Sequence, residues 1–173
     1  MGIKDIYHHT FRVSWEQFHR DSRALAWRLL ATKKKWKKII AVARGGLIPA
    51  TIIARELNIH YIDTICVSSY IGQRQGELLI SKKIAKPRTG RECGEEYLVI
   101  DDLVDTGITG RSIRGVIPRA YFATVYAKPD GEPVVDTFIT RVSQDTWVLF
   151  PWDSEVVPNF VEPIVDYTNE IKE

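Results

Sequence analysis

Apolar positions along this chain switch repeatedly between two spacings. Behind Ser14, the residues Trp15, Phe18, Ser22, Leu25 and Leu29 recur every three or four positions, the period of one helix face. Ser14, with Gln17 three positions on, has the form of a capping box, so a helix is predicted to start there and to end near Thr32. Ile39–Ala43 then reads as a short buried strand, and Leu47–Leu57 as a helix that tolerates Pro49 in its first turn. Tyr61–Ser69 is strand-like and β-branched. Tyr70–Gly76 is polar with two glycines and reads as a loop, and Leu78–Ile84 as a strand. Lys86–Glu96, broken by Pro87, Gly90 and Gly94, is expected to be a surface excursion. After it come a strand at Tyr97–Asp101, a loop at 102–109, a helix at about 109–117 and a strand at Tyr121–Ala127. The turn Lys128-Pro129-Asp130-Gly131 precedes a last strand from about Val134 to Val142. Strands alternating with helices predict an α/β fold whose mainly parallel sheet is covered on both faces. The helix-poor stretch after Lys128 is expected to cover an edge of that sheet.

Composition narrows the classes without choosing among them. At 173 residues, 45% hydrophobic and 27% charged, the chain fits one globular domain with a real core. Its 24 basic and 22 acidic residues leave a net charge of +2, which gives no general affinity for polyanions. No apolar run approaches the roughly twenty residues of a membrane span, and a signal-peptide core is missing from the N-terminus. Met1-Gly2 is not followed by a myristoylation motif, since Ile6 stands where Ser or Thr is required. Cys66 and Cys93 lack Cys-x-x-Cys spacing and are expected to be reduced thiols, so a cytoplasmic protein is expected. Lys33–Lys38 sets five lysines around Trp36. A solvated helix C-terminus with cations favouring its dipole is the plainer account, and contact with an anionic membrane surface the lesser one. His8, His9, His19 and His60 form no metal-ligand pattern.

The chemistry concentrates in Tyr97–Thr109. Four apolar or aromatic residues run into Asp101 and Asp102, and Asp105 then opens a Thr106-Gly107-Ile108-Thr109 loop before a helix. A buried strand delivers its first polar side chains at the carboxyl edge of the sheet, where open α/β sheets bind ligands. Two hydroxyls, a glycine and the unpaired N–H groups of a helix start make a phosphate cradle. Carboxylates beside a phosphate imply Mg²⁺, a developing positive charge, or both. Arg44-Gly45-Gly46 forms a second strand–loop–helix turn, suited to another anion. By itself Lys128 reads as a solvated turn lysine and Trp147 as a cover aromatic. Jointly they could recognise a 6-oxopurine, the indole by stacking and the lysine by donating to the oxygen.

The run of apolar residues, two acids, a short apolar link and Asp-Thr-Gly-x-Thr resembles the signature of the phosphoribosyltransferases that use 5-phosphoribosyl 1-pyrophosphate (PRPP). Further blocks occur in the order seen in the bacterial purine-salvage members acting on xanthine and guanine. These are Val42–Pro49, Cys66–Tyr70, Ala127-Lys128-Pro129, Gln144-Asp145-Thr146-Trp147 and Pro151-Trp152-Asp153. The similarity spans roughly Ser14 to Val157. It implies the type I fold, a mainly parallel twisted sheet flanked by helices with a small hood. The whole chain would be one domain, with a core at about 14–127 and a base-recognising hood and tail at about 128–173.

The resemblance further implies transfer of the 5-phosphoribosyl group from PRPP to xanthine or guanine, and more weakly to hypoxanthine, with Mg²⁺ as cofactor. Arg44 and Gly45 would contact pyrophosphate, in a loop that in this family often carries a cis peptide just before the glycine, here Arg44–Gly45. Asp101 and Asp102 would meet the ribose hydroxyls and Mg²⁺, with Asp102 the metal partner. Asp105 would face purine N7 as general base or charge stabiliser. Thr106, Gly107 and Thr109 would hold the 5′-phosphate, with Leu103, Val104 and Ile108 completing the PRPP-binding run. Lys128, Trp147 and Val148 would recognise the base, Trp147 and Val148 also through their carbonyls. The polar loop 70–76 would be a lid.

Two departures from the family stand out. An arginine of that lid is replaced by Gly76, with Arg74 two residues earlier as its stand-in for PRPP binding. The segments 86–94 and beyond Val157 look extended. A homo-oligomer, dimer or tetramer, is expected. Lys128 and Trp147 both present and one helix in the first 38 residues argue against a nucleic-acid partner, and the lysine cluster at 33–38 leaves a weak peripheral association with the inner face of the membrane as the lesser expectation. The rivals are a PRPP- or purine-sensing regulator that binds nucleic acid on the same fold, and a hypoxanthine-preferring transferase.

Overall fold

A computed structural model describes residues 9–69, 78–82 and 94–153. Strand β1 (His9–Arg12) leads into helix α1 (Trp15–Ala31), then β2 (Lys38–Ala43), α2 (Leu47–Leu57), β3 (Ile62–Ser69) and β4 (Leu78–Lys82). The chain continues through β5 (Tyr97–Val104), α3 (Ile108–Val116), β6 (Tyr121–Ala127), a 3-10 turn at Glu132–Val134, β7 (Thr137–Arg141) and β8 (Thr146–Leu149). The main sheet has the order β4-β3-β2-β5-β6-β7. Its five strands β3, β2, β5, β6 and β7 run parallel, and β4 is antiparallel at one edge.

Helix α1 begins where the capping box predicts, with Gln17 N–H donating to Ser14 Oγ at 3.2 Å. Phe18, Ser22, Leu25 and Leu29 are fully buried. Trp15 departs from that face, because it sits at the first turn and reaches the ring of Trp152 at 5.7 Å. The strands show why both sheet faces are covered. Ile39 and Ala41 of β2, with Leu98 and Ile100 of β5, join one core layer under α1 and α2. Ile40, Val42 and Val99 join the other, beneath Ile113 and Ile117 at the C-terminal end of α3. Each buried isoleucine, leucine or valine among these stabilises the fold by roughly 1.5–3 kcal/mol, so the alternation fixes the register strongly.

Strand order reverses between β2 and β5. The crossover through α2 leads outward to β3, and the crossover through α3 leads the other way to β6. Parallel neighbours with diverging crossovers open a crevice at their carboxyl ends, the general ligand site of such sheets.

Three elements differ from the sequence reading. Strand β5 runs on through Val104 instead of ending at Asp101, because its ladder with β6 continues, pairing Leu103 with Tyr126 and Val104 with Ala127. Backbone pairing is indifferent to the polar side chains that suggest a loop. The last predicted strand shortens to β7 and extends the main sheet beside β6, since Pro133 sits in the 3-10 turn before it. Short strands β1 and β8, for which no pattern is evident in the sequence, pair in parallel as a separate two-stranded sheet. That small sheet rests on an aromatic stack in which Phe150 lies flat against Trp152 at 4.7 Å and Phe18 meets Trp152 edge-on at 4.7 Å. Tyr126 below it donates to Asp21 at 2.7 Å, and burial followed by that carboxylate pushes the phenol pKa up. The expected lid at 70–76, with Arg74, lies outside the described residues, as do most of 86–94 and the tail.

Candidate active site

The crevice is walled on one side by the turn between β2 and α2. The Ala43–Arg44 peptide is cis, one bond earlier than the expected Arg44–Gly45. Gly45 is required here by contact: a Cβ on it would stand 2.0 Å from Asp102 Oδ2. A Cβ on Gly46 would meet the Ile100 carbonyl at 2.4 Å. The glycines therefore let this turn lie directly against the carboxylate end of β5.

Asp101 and Asp102 each fold back on the chain. Asp102 N–H donates to Asp101 Oδ1 at 3.0 Å, and Leu103 N–H to Asp102 Oδ1 at 2.7 Å. Burial pushes the Asp101 carboxyl well above the usual carboxylate range, and the Asp102 charge adds to the rise. Burial likewise raises Asp102, against the hydrogen bonds from Asp101 and the Leu103 backbone; the charge of Asp153 contributes to the rise. Among the described residues no group of three or more His, Cys, Asp or Glu side chains could cage a metal ion. The donor set still suits Mg²⁺, which takes oxygen ligands from one or two carboxylates and completes its shell with water and substrate phosphates.

Beyond the acids, a cleft of about 130 Å³ is lined by Asp101, Leu103–Gly110 and Phe122. Helix α3 starts at its rim with Gly107 at φ 75° as N-cap, and no side chain caps it. The first turn of α3 therefore keeps unpaired N–H groups at the cleft, whose lining includes Thr106 and Thr109. Arg111 braces the loop from outside by donating to the Thr106 carbonyl at 3.1 Å.

On the other side, Asp105 is gripped by two donors. Lys128 Nζ lies 2.8 Å from its Oδ2, and Gln144 Nε2 donates to its Oδ1 at 2.8 Å. Lys128 is only 1% exposed, so it is no solvated turn lysine. Its own N–H continues the ladder to the Val104 carbonyl at 2.9 Å. In β8, Trp147 is 38% exposed while Val148 is buried.

The phosphoribosyl transferase domain family matches residues 14–159. The chain belongs to the phosphoribosyltransferase family. It is 59% identical over 166 residues to a xanthine-guanine phosphoribosyltransferase of Nitratidesulfovibrio vulgaris strain DP4, covering 96% of this chain and 97% of that one. The enzyme of the same name from Desulfotalea psychrophila is 56% identical over 164 residues, covering 94% and 97%. Among solved structures, a purine phosphoribosyltransferase from Pyrococcus horikoshii superposes with a TM-score of 0.71 at 27% identity, over 91% of this chain and 98% of that one. These likenesses carry the type I fold and offer no support for a nucleic-acid-binding regulator.

In this phosphoribosyltransferase the fold brings Asp101 and Leu103–Thr109 into one cleft, Gly45 onto Asp102, and Lys128 onto Asp105. Arg44, Trp147 and Val148 do not line that cleft. Arg44 opens the neighbouring turn, and the other two lie on the small sheet. Sequence reasoning passed over two residues. Gln144 touches Asp105 directly, and Asp153, which accepts from the Phe150 N–H at 3.1 Å, acts electrostatically on Asp102. Both stand inside blocks that carry the resemblance, which was the available signal.

Proposed function

We propose that this phosphoribosyltransferase salvages purines, converting PRPP and xanthine or guanine, and more slowly hypoxanthine, to the nucleoside 5′-monophosphate and pyrophosphate. The observation that carries this reading is the 2.8 Å contact between Lys128 and Asp105 at the mouth of the phosphate loop, in a chain similar over nearly its whole length to enzymes of that name. It sets a cation suited to a 6-oxo group beside a carboxylate suited to N7.

Thr106, Gly107 and Thr109, with the backbone of Leu103, Val104 and Ile108, hold the 5′-phosphate. Arg44 and Gly45 hold pyrophosphate, and Asp101 and Asp102 receive the ribose hydroxyls. Mg²⁺ bound at Asp102 would supply charge neutralisation to the departing pyrophosphate. The base forms its N9–C1 bond as the C1–O bond to pyrophosphate breaks, and Asp105 accepts the proton from N7, a contribution of roughly 10²–10⁴ in rate. The carboxylates also stabilise positive charge developing on the ribose ring. Lys128 donates to the 6-oxo group and has nothing to accept from a 6-amino group, so adenine is rejected. Trp147 stacks on the base, and the Val148 carbonyl accepts from the 2-amino group of guanine.

Pyrophosphate release from PRPP and Mg²⁺, with each base supplied singly, tests the reading. Xanthine and guanine should drive release and adenine should not, and Lys128→Ala should weaken the 6-oxopurines selectively. Equal use of adenine, or PRPP binding with no release for any base, would overturn it. A homo-oligomer and a weak contact with anionic membranes belong to the same reading. They are supported by exposed Trp27 (61%) and Leu30 (54%) on α1 near the solvated Lys33–Lys35, at the end of the sheet opposite the site.

A further inference from the structure

Gln144 belongs to neither the phosphate loop nor the small sheet; it sits on the connection between β7 and β8. Its amide is engaged at both ends. Oε1 accepts the Asp130 N–H at 3.1 Å, which leaves Nε2 as the end that donates to Asp105 Oδ1 at 2.8 Å. Asp130 and Gly131 follow Lys128 in one turn, and a Cβ on Gly131 would stand 2.6 Å from the Asp105 carbonyl oxygen. The turn therefore clasps the Asp105 backbone, while Gln144, braced on that turn, clasps its carboxylate.

The two donors on Asp105 differ in what they can do next. Lys128 carries its charge on a flexible stem and is the group suited to a purine oxygen. Gln144 is fixed by its second hydrogen bond and carries no charge, so it orients a carboxylate with far less loss of basicity than a second cation would cause.

We propose that Gln144 is the positioning residue of Asp105, holding Oδ1 so that Oδ2 stays aimed at N7 when Lys128 leaves it for the 6-oxo group of the incoming base. This rests on the reading of Asp105 as proton acceptor given above. Lys128 thus guards the acceptor in the resting enzyme and uncovers it on moving to the substrate. Gln144 spares the carboxylate a rotational search at that moment, which is how a positioned base gains over a free one.

The test is a kinetic double-mutant cycle on the full chain. Gln144→Met keeps the length of the side chain and removes the donor. It should lower kcat about ten- to a hundredfold, the range of a hydrogen bond to a charged group, and leave KM for PRPP unchanged. In an Asp105→Asn background the same substitution should lower kcat no further, because the group it positions is gone. Gln144→Asn, whose amide is withdrawn by one methylene, should repeat the split if the Met variant misfolds. Full kcat in these variants, or losses that multiply with Asp105→Asn, would overturn the role of Gln144. Wild-type kcat in Asp105→Asn alone would instead remove the proton-acceptor reading on which it rests.

Discussion

Replacing Asp105 by Asn should separate what holds this site together from what makes it work. The carboxylate accepts from Lys128 on one oxygen and from Gln144 on the other, both at 2.8 Å. An asparagine offers one acceptor and one donor, so it can satisfy Lys128 or Gln144 but not both. An orphaned buried donor costs about 1–3 kcal/mol. Asp105 is 32% exposed, and water relieves part of the loss, so the lower half of that range, about 1–2 kcal/mol, is the better expectation. For a chain of this size that lowers Tm by about 2–8 °C. Turnover should fall far more, by about 10²–10⁴.

A second substitution then repairs the bonding without repairing the chemistry. With Gln144→Glu added to Asp105→Asn, the new amide turns its oxygen to Lys128 and its N–H to the new carboxylate, whose other oxygen still accepts from Asp130. The donor count closes and the buried lysine keeps a nearby anion. Thermal melts of the four proteins should show Gln144→Glu and Asp105→Asn each destabilised. The double variant should return to within about 0.5 kcal/mol of wild type, the scatter expected of additive sites. Initial rates of pyrophosphate release should stay low. A double variant whose stability loss equals the sum of the singles would refute the hydrogen-bond assignment, and restored turnover would refute Asp105 as the proton acceptor.

Two further expectations concern the Arg44–Gly46 side. Gly45→Ala places a Cβ 2.0 Å from Asp102 Oδ2, whose carboxylate also accepts from the Leu103 N–H. The overpacking, about 1–3 kcal/mol, should lower Tm and raise KM for PRPP at least about tenfold, and unchanged Tm and steady-state constants would mean that the turn does not depend on that contact. Burial raises the Asp101 carboxyl above its unfolded value. Its contribution to stability is therefore full below about pH 4 and is lost as pH rises through the folded value. In metal-free protein Asp101→Asn should gain stability over wild type as pH climbs from about 4 towards neutrality, and Mg²⁺ with PRPP should narrow the gap; a pH-independent difference in denaturation would refute this.

Much of this arrangement could be read from residue order. Strands β2 and β6, helices α1 and α2 and the loop after β5 follow from local periodicity and punctuation, because each carries its pattern in its own residues even where the partners that bury it are distant, as Tyr126 and Trp152 are for Phe18. What stayed hidden depends on distant partners. Strand β1 is four residues of mixed polarity and exists because β8, more than a hundred positions later, pairs with it through Thr10 and Trp147. Lys128 reads as a surface residue until β5 and β6 are aligned and its Nζ is seen buried against Asp105. Gln144 is marked in the sequence only by its place in a block of the resemblance; the role of a neutral amide emerges when both of its ends are seen engaged.

The extension of β5 through Val104 changes how the adjacent acids must be understood. In a loop, Asp101 and Asp102 would be free to converge on one ion. On a strand, successive side chains leave towards opposite faces, yet the two carboxyls still interact, the charge of Asp102 adding to the rise at Asp101, while their surroundings differ. Asp101 lines the cleft with Leu103, whereas Asp102 is absent from that lining and lies against Gly45 in the neighbouring turn. One strand end thus presents one acid to the cleft and the next to the turn after β2. Three residues on, past the end of the strand, the third acid is clasped by Lys128 and Gln144. On the proposed reading the carboxylates would bracket the carbon at which the bond is exchanged, and Gly45 lets the turn opposite come within reach of Asp102.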